Sequence, residues 1–359
     1  MIFQMPTLVY EEEECVRNHA VEFARMGRKA LIVTGSRSAK ENGSLADVHA
    51  ALKSCGISSV LFDQVEENPS VETVMKARVI GVEQGVDFVV GIGGGSPMDA
   101  AKAIALMIAN PGKDETFLDE KVREVKSLPV ICVPTTCGTG SEVTGVAVLT
   151  RHQKKTKASM AHKVYPALSL VDSKYLESAP AEVIGNTAID ALAHLVESYI
   201  NSNATDYSRM FVREGLLTFR KCKGALLGER IITGADYRNL MNASTFAGMA
   251  IAHTGTSLPH ALSYQITYEM GMAHGKACGY FLSGYIREAS VELQDELLSI
   301  LDFNSLDDFE QFISEVCQFE EISEVLLEKV TAALAENAAK LKNCPYYTDI
   351  QILRRIAGL

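Results

Sequence analysis

No dense run of lysine or arginine occurs in this sequence, no C-x-x-C pair, and no apolar stretch approaching the roughly 18 residues that cross a bilayer. Each absence removes a class of function. With 34 basic against 45 acidic residues and a net charge of −11, nucleic acid and anionic membrane are poor partners. The eight cysteines are scattered, at 15, 55, 132, 137, 222, 278, 317 and 344, which suits reduced thiols better than a disulfide frame or a zinc knuckle. The opening MIFQMPTLVYEEEEC lacks a basic segment followed by an apolar core, so no signal peptide is expected and the expected location is the cytoplasm. A complete dinucleotide fingerprint is missing too, because Gly91-x-Gly93-x-x-Ser96 lacks the third glycine. What remains is a globular chain of 359 residues, 47% hydrophobic and 22% charged, long enough for two domains.

The two halves follow different patterns. KALIVTG (29–35), SSVLFDQV (58–65), DFVVGIGG (87–94), LPVICVPTT (128–136) and LSLVD (168–172) are short β-branched runs. Helical patterns such as LADVHAALKSCG and VETVMKARVIGVEQG lie between the early ones. Such alternation predicts a mostly parallel sheet covered by helices. Beyond LESAPAEV, long helical patterns run to the C-terminus. The expected organisation is an α/β dinucleotide-binding domain over 1–177 and an all-helical domain over 178–359.

The stretch TAIDALAHLVESYI (187–200) is apolar almost all round, as a buried helix is. It nevertheless carries Asp190 and His194, four apart and on one face. A buried carboxylate costs several kcal/mol unless it is paired or ligated. An Asp–His hydrogen bond in the core would satisfy it. His260 and His274, in a glycine-punctuated part of the same half, open a second reading: one aspartate and three histidines as a four-ligand site for Zn²⁺, or for Fe²⁺ with open positions. His253 precedes His260 by seven residues, so on a continuous helix it would share that face and point to substrate, ordinary packing being the alternative. His19, His49, His152 and His162 read as surface or loop residues, and Glu11 to Glu14 as a solvated face.

GGGSPMDAAKA (93–103), PTTCGTGSEVT (134–144), DALAH (190–194), ENPS (67–70) and the His260/His274 pair resemble, in order and over nearly the whole chain, the iron-dependent alcohol dehydrogenases. Among these the sequence looks most like the short propanediol- and butanol-dehydrogenase-like members. The resemblance implies the fold shared with dehydroquinate synthase and metal ligation by Asp190, His194, His260 and His274. It implies coenzyme binding by Gly94, Gly95 and Ser96 at the pyrophosphate, with Asn68, Asp99, Thr135, Thr136, Thr139 and Lys157 around the rest. Cys137 then reads as a small residue packed beside the coenzyme. Glycerol dehydrogenases typically lack the ligand that His194 supplies. Many members read H-A-L-S-H, whereas this sequence reads His260-Ala-Leu-Ser-Tyr264, so Tyr264, or water, would relay the proton.

The implied activity is metal-dependent, NAD(P)-linked oxidation of small primary alcohols or diols and reduction of the aldehydes, in a cytoplasmic homodimer. A polyol dehydrogenase and a dehydroquinate synthase-like lyase are the alternatives. The ion implied is Fe²⁺, with Zn²⁺ the alternative. For the coenzyme, the end of the first strand is decisive, because an acidic residue there accepts from the ribose 2′-hydroxyl and repels a 2′-phosphate. Here Thr34 is followed by Gly35, Ser36, Arg37, Ser38 and Lys40, which favours NADP, with NAD as the alternative.

Overall fold

The computed structural model describes residues 3–122, 125–154 and 156–359. The chain forms two compact units, one of residues 5–136 and 141–179, the other of residues 1–4, 137–140 and 180–359.

The first unit is built on a six-stranded sheet. Its strands are β1 (Leu8–Glu11), β2 (Lys29–Thr34), β3 (Ser58–Phe62), β4 (Phe88–Gly93), β5 (Val130–Pro134) and β8 (Leu168–Val171), in the order β1-β8-β5-β4-β2-β3. All pairs are parallel, as the alternation of strands and helices predicts. β2, β4, β5 and β8 have no exposed residue, and their near-continuous apolar runs are what a strand covered on both faces requires. Two features escaped the sequence pattern. β1 is a four-residue edge strand beside β8, too short to show a period. β6 (Val148–Arg151) and β7 (Thr156–Ser159) make an antiparallel hairpin, rich in polar residues, that bridges to Ser70 through Thr150.

β4 runs into the helix Gly95–Ala109, buried at ten of its fifteen positions. Lys102 lies on it with no exposure. Its ammonium donates to Ser141 Oγ at 2.7 Å and the Val146 carbonyl at 2.9 Å, with Asp99 Oδ1 at 3.6 Å. Asp99 in turn accepts from the Ser141 hydroxyl at 2.6 Å and the Val148 N–H at 2.8 Å. This buried network ties the helix to the 141–148 segment that feeds the hairpin.

Beyond Pro180 every regular element among the described residues is a helix. The helix Ala181–Tyr199 is buried throughout its second half, which answers its apolar character. Gly275 and Gly279, one turn apart on the helix His274–Arg287, let that helix lie against it. A Cβ at Gly275 would stand 1.9 Å from the Asn186 carbonyl oxygen, and one at Gly279 would stand 2.7 Å from Ile189 Cγ2.

Removing one partner of a buried charged network leaves the other uncompensated, at a cost of about 3–5 kcal/mol. Lys102→Met should therefore lower the urea midpoint of unfolding by an amount corresponding to that range. Asp99→Asn in the same chain should recover part of it. Equal midpoints for Lys102→Met and the parent would show that the network contributes nothing.

Candidate metal centre and coenzyme cradle

Asp190, His194 and Glu197 fall on one face of the Ala181–Tyr199 helix, at spacings of four and three. Glu197 has no exposure, and Asp190 and His194 have 3% and 6%. His260 is the third residue of the helix Leu258–Met270, and His274 is the first of the helix His274–Arg287, so two helix N-termini converge here. The structure brings Asp190, His260, His274 and Cys278 together, with one donor atom from each lying within 4.8 Å of all the others. Asp190 Oδ1 is 3.4 Å from His260 Nε2 and 3.9 Å from His274 Nε2. His194 stands beside this group, its ring stacked on that of His260 at 4.2 Å.

Each histidine is oriented from behind. His260 Nδ1 donates to Glu197 Oε2, while Glu197 Oε1 accepts the backbone N–H groups of Ser257 and His260 at 3.2 and 3.0 Å. Glu197 thereby caps a helix whose Ser257 cap residue makes no side-chain capping bond. His194 Nδ1 donates to the Gly138 carbonyl at 3.2 Å. That carbonyl is within reach because Gly138 has no side chain, a Cβ there standing 2.8 Å from the Thr187 carbonyl oxygen. His274 Nδ1 lies 3.5 Å from Ser263 Oγ. These contacts direct Nε2 of His194 and His260 away from their holders, as metal-ligating histidines are held.

Two buried atoms, Asp190 Oδ1 and His260 Nε2, have no hydrogen-bond partner among the described residues. Facing each other at 3.4 Å, they fit a shared cation. The charges agree. Burial acts to raise the Asp190 pKa, but His194, His260 and His274 hold it well below the usual carboxylate range. Burial acts to lower the His260 pKa, yet Cys278, Glu197 and Asp190 lift it well above the ordinary value. Burial and the charge of His260 push His194 down to about 4, keeping its ring neutral. An aspartate with three imidazoles suits Zn²⁺ or Fe²⁺.

His253 lies elsewhere. Its helix, Gly234–Thr254, ends before Gly255, whose φ of 72° breaks the register, so the seven-residue spacing to His260 does not run along one helix. Its Nδ1 donates to the Met249 carbonyl at 2.8 Å, its Nε2 accepts the Gln4 N–H at 3.2 Å, and its ring stacks on Phe3 at 4.7 Å. Tyr264 stacks on His274 with ring centres 5.6 Å apart, and burial lifts its pKa to about 12. His162 is a loop residue but a buried one, bonded to the Phe117 carbonyl at 2.6 Å. The sequence reading passed over Glu197 and Cys278. The signal for Glu197 was present, since a carboxylate seven residues after Asp190 in an apolar helix needs a partner as much as Asp190 does.

In the α/β unit, Gly93, Gly94, Gly95 and Ser96 turn the end of β4 into the helix Gly95–Ala109. Gly93 has a φ of 144°, and a Cβ at Gly94 would stand 3.0 Å from Thr136 Oγ1. Backbone N–H groups at such a helix N-terminus suit an anion. Asn68, at a φ of 58°, donates its N–H to Ser96 Oγ at 3.0 Å, and its carbonyl accepts the Thr150 hydroxyl at 2.8 Å. Lys157 is the register partner of Thr150 in the hairpin. The Thr135 N–H bonds the Gly93 carbonyl at 3.0 Å. Both carboxylate oxygens of Asp99 are bonded within the protein, so it positions this turn from inside. Thr139 belongs to the 137–140 segment of the other unit, where Cys137 Sγ is 3.3 Å from Thr187 Oγ1. After β2, Gly35 is partly buried and Ser36 exposed. Arg37 pairs with Glu41 and Lys40 with Asp63, both contacts at the surface.

The family described as "Iron-containing alcohol dehydrogenase" matches residues 6–173, and "Fe-containing alcohol dehydrogenase family, C-terminal" matches 184–343. A long-chain-alcohol dehydrogenase of Geobacillus thermodenitrificans is 31% identical, over 82% of this chain and 74% of that protein. An NADPH-dependent butanol dehydrogenase of Clostridium saccharobutylicum is 29% identical over 73% of this chain and 68% of its own length. The crystal structure of an iron-containing alcohol dehydrogenase from Thermotoga maritima superposes with a TM-score of 0.91, at 35% identity, covering 100% of this chain and 99% of that one.

Loss of a carboxylate behind a ligating histidine typically lowers metal affinity about 10- to 100-fold. Glu197→Gln presents an amide N–H₂ or a weaker acceptor to the His260 ring. Its Zn²⁺ affinity, measured by chelator competition, should fall by that factor while its circular dichroism stays that of the parent. An unchanged affinity would remove Glu197 from this role.

Proposed function

Because the chain belongs to the iron-containing alcohol dehydrogenase family, we propose that it catalyses reversible hydride transfer between a nicotinamide coenzyme and the carbinol carbon of a small primary alcohol or diol. The observation that carries this reading is the pair of buried, partnerless atoms, Asp190 Oδ1 and His260 Nε2, facing each other amid two further histidines. Asp190, His194, His260 and His274 would hold the ion, Fe²⁺ by family and Zn²⁺ as the alternative. When bound, the ion supplies Lewis acidity that lowers the alcohol's pKa and polarises the aldehyde carbonyl, and the nicotinamide supplies or takes the hydride.

The chain's own residues do the rest. Glu197 and the Gly138 carbonyl keep His260 and His194 in the tautomer that presents Nε2. Gly94, Gly95 and Ser96 would hold the pyrophosphate at their helix N-terminus. Asn68, Thr135, Thr136, Thr139 and Lys157 would line the remainder of the coenzyme, and Asp99 would act through Ser141 and the 148 backbone. Tyr264 would relay the alcohol proton. With a pKa near 12 its hydroxyl stays protonated around neutrality, so it passes a proton along a chain instead of acting as a fixed base. The working assembly is a homodimer in the cytoplasm.

The direct test is a panel of primary alcohols, diols and aldehydes on anaerobically reconstituted protein, followed by nicotinamide absorbance. Turnover is expected with small primary alcohols and should fall to background in His260→Ala, together with metal content. A dehydroquinate synthase-like lyase would show no net absorbance change with any of them, and that result would overturn the reading.

The coenzyme proposed is NADP(H). Gly35 and Ser36 follow Thr34 in place of a carboxylate, and exposed ion pairs such as Arg37–Glu41 are weak enough to yield to a phosphate. The expected preference in kcat/KM over NAD(H) is about 5- to 150-fold at equal ionic strength, one or two charge-assisted contacts. Gly35→Asp should narrow it. A parent enzyme that prefers NADH would defeat the argument.

A further inference from the structure

The short helix Ala338–Leu341 carries one cation, Lys340, whose ammonium stands over the Tyr264 ring, 5.5 Å from its centre. Tyr264 in turn stacks on His274 with ring centres 5.6 Å apart, so one aromatic ring links this lysine to the metal centre. The segment around Lys340 is firmly held. Ser202 donates its N–H to the Asn343 carbonyl at 2.9 Å and its hydroxyl to the Lys342 carbonyl at 2.7 Å. The Asn343 amide donates to the Thr256 carbonyl at 2.8 Å and accepts from the Asn203 amide at 3.2 Å. Ser202 and Asn203 follow the helix of Asp190 and His194, and Thr256 precedes the helix of His260. Lys340 is therefore tied to the same framework as the ligands.

What Lys340 lacks is an acidic partner. Acidic residues outnumber basic ones by 45 to 34 in this chain, yet the Lys340 side chain makes no ion pair or hydrogen bond among the described residues. Glu336, four residues earlier, would be the ordinary helical partner. It caps the end of one helix, and Asn337, at a ψ of 73°, leaves helical geometry before the helix of Lys340 begins. Glu197, the carboxylate whose charge reaches Lys340, has no exposure and is committed to the His260 ring and two N–H groups. Desolvation lowers the lysine's pKa, and Glu197 offsets only part of that. The side chain nevertheless reaches solvent. A partly desolvated cation without a counter-charge gains from an anion brought to it.

We propose that Lys340 determines substrate choice by binding an anionic group at the far end of the substrate, so that short ω-oxo acids and their ω-hydroxy counterparts are preferred over neutral aldehydes and alcohols. An ammonium is a point charge and not a planar fork, so it accepts a carboxylate or a phosphate alike. The proposal rests on the dehydrogenase reading above and names its substrate class.

The test uses the full-length, metal-loaded protein with its coenzyme and two matched pairs, 4-oxobutanoate against butanal and glycolaldehyde phosphate against glycolaldehyde. In the parent, kcat/KM should favour the charged member of at least one pair by about 10-fold, the worth of one charge-assisted contact, and the pair that responds tells carboxylate from phosphate. Lys340→Met should lower that ratio by the same factor, mainly through KM. Lys340→Arg should keep most of it, and Lys340→Glu should turn it against the charged substrate. Added salt should shrink the parent's preference. A parent that reduces butanal and glycolaldehyde at least as well as their charged partners overturns the proposal while the dehydrogenase reading stands. A ratio unchanged in Lys340→Met leaves the charge without a role, and one that falls equally in Lys340→Arg assigns the lysine a structural one, so either result defeats the proposal. A protein that reduces none of the four overturns the dehydrogenase reading and the proposal with it.

Discussion

Asp190 and Glu197 place two carboxylates inside one apolar helix, and much of the helical unit is arranged to meet the cost. Taking an ion of this kind out of water costs several kcal/mol after relaxation, and it is tolerated only where partners converge. Glu197 gains three donors, the His260 ring and two N–H groups of a helix N-terminus. Asp190 gains three imidazoles within electrostatic reach. The close approach of the His274–Arg287 helix follows from the same need. Glycines at 275 and 279 let a helix carrying His274 and Cys278 lie against the carboxylates, where any side chain would force it outward.

The α/β unit meets a complementary demand, a place for negative charge. It is met by backbone geometry rather than by surface cations, consistent with the chain's acidic balance. A helix N-terminus offers unsatisfied N–H groups only if the chain can turn tightly into it, which Gly93 does at a φ of 144°. The turn must then be kept open. Asp99 and Lys102, one helical turn apart, hold the 141–148 segment, and Ser96 holds the backbone at Asn68. Polar residues usually read as coenzyme contacts here act first as scaffolding.

Features carried by local pattern were legible in the sequence. The five strand runs between 29 and 172 are short, apolar and β-branched, and the helices after residues 44 and 71 carry helical patterns, so their type follows from neighbours in sequence. β1 and the β6/β7 hairpin were not legible, since four-residue strands are too short to show a pattern and are specified by what they pair with. The carboxylate and histidines of the centre stood out because ionisable residues in apolar helices need a reason. Cys278 did not, because a buried cysteine is ordinary and only its approach to His274 distinguishes it. The seven-residue spacing from His253 to His260 does not put them on one face, because Gly255 ends the helix between them. The pairing of Arg37 and Lys40 with Glu41 and Asp63 depended on side-chain reach, which spacing does not give.

What makes the centre more than a buried ionic cluster is the direction of its protons. A cluster built only for stability would pair every donor with an acceptor inside it. Here the pairing stops one atom short. A carboxylate holds the far side of the His260 ring and a carbonyl holds the far side of His194, so in each case the held nitrogen carries the proton and Nε2 keeps a lone pair. Asp190 adds an anionic oxygen facing one of those lone pairs. Two acceptors turned towards each other at 3.4 Å repel unless something positive lies between them. A proton on His260 answers that requirement in part, and Cys278, Glu197 and Asp190 together draw its pKa upward against burial. A divalent ion answers it more completely, because it meets all the donors at once and leaves the protons of the holding bonds where they are.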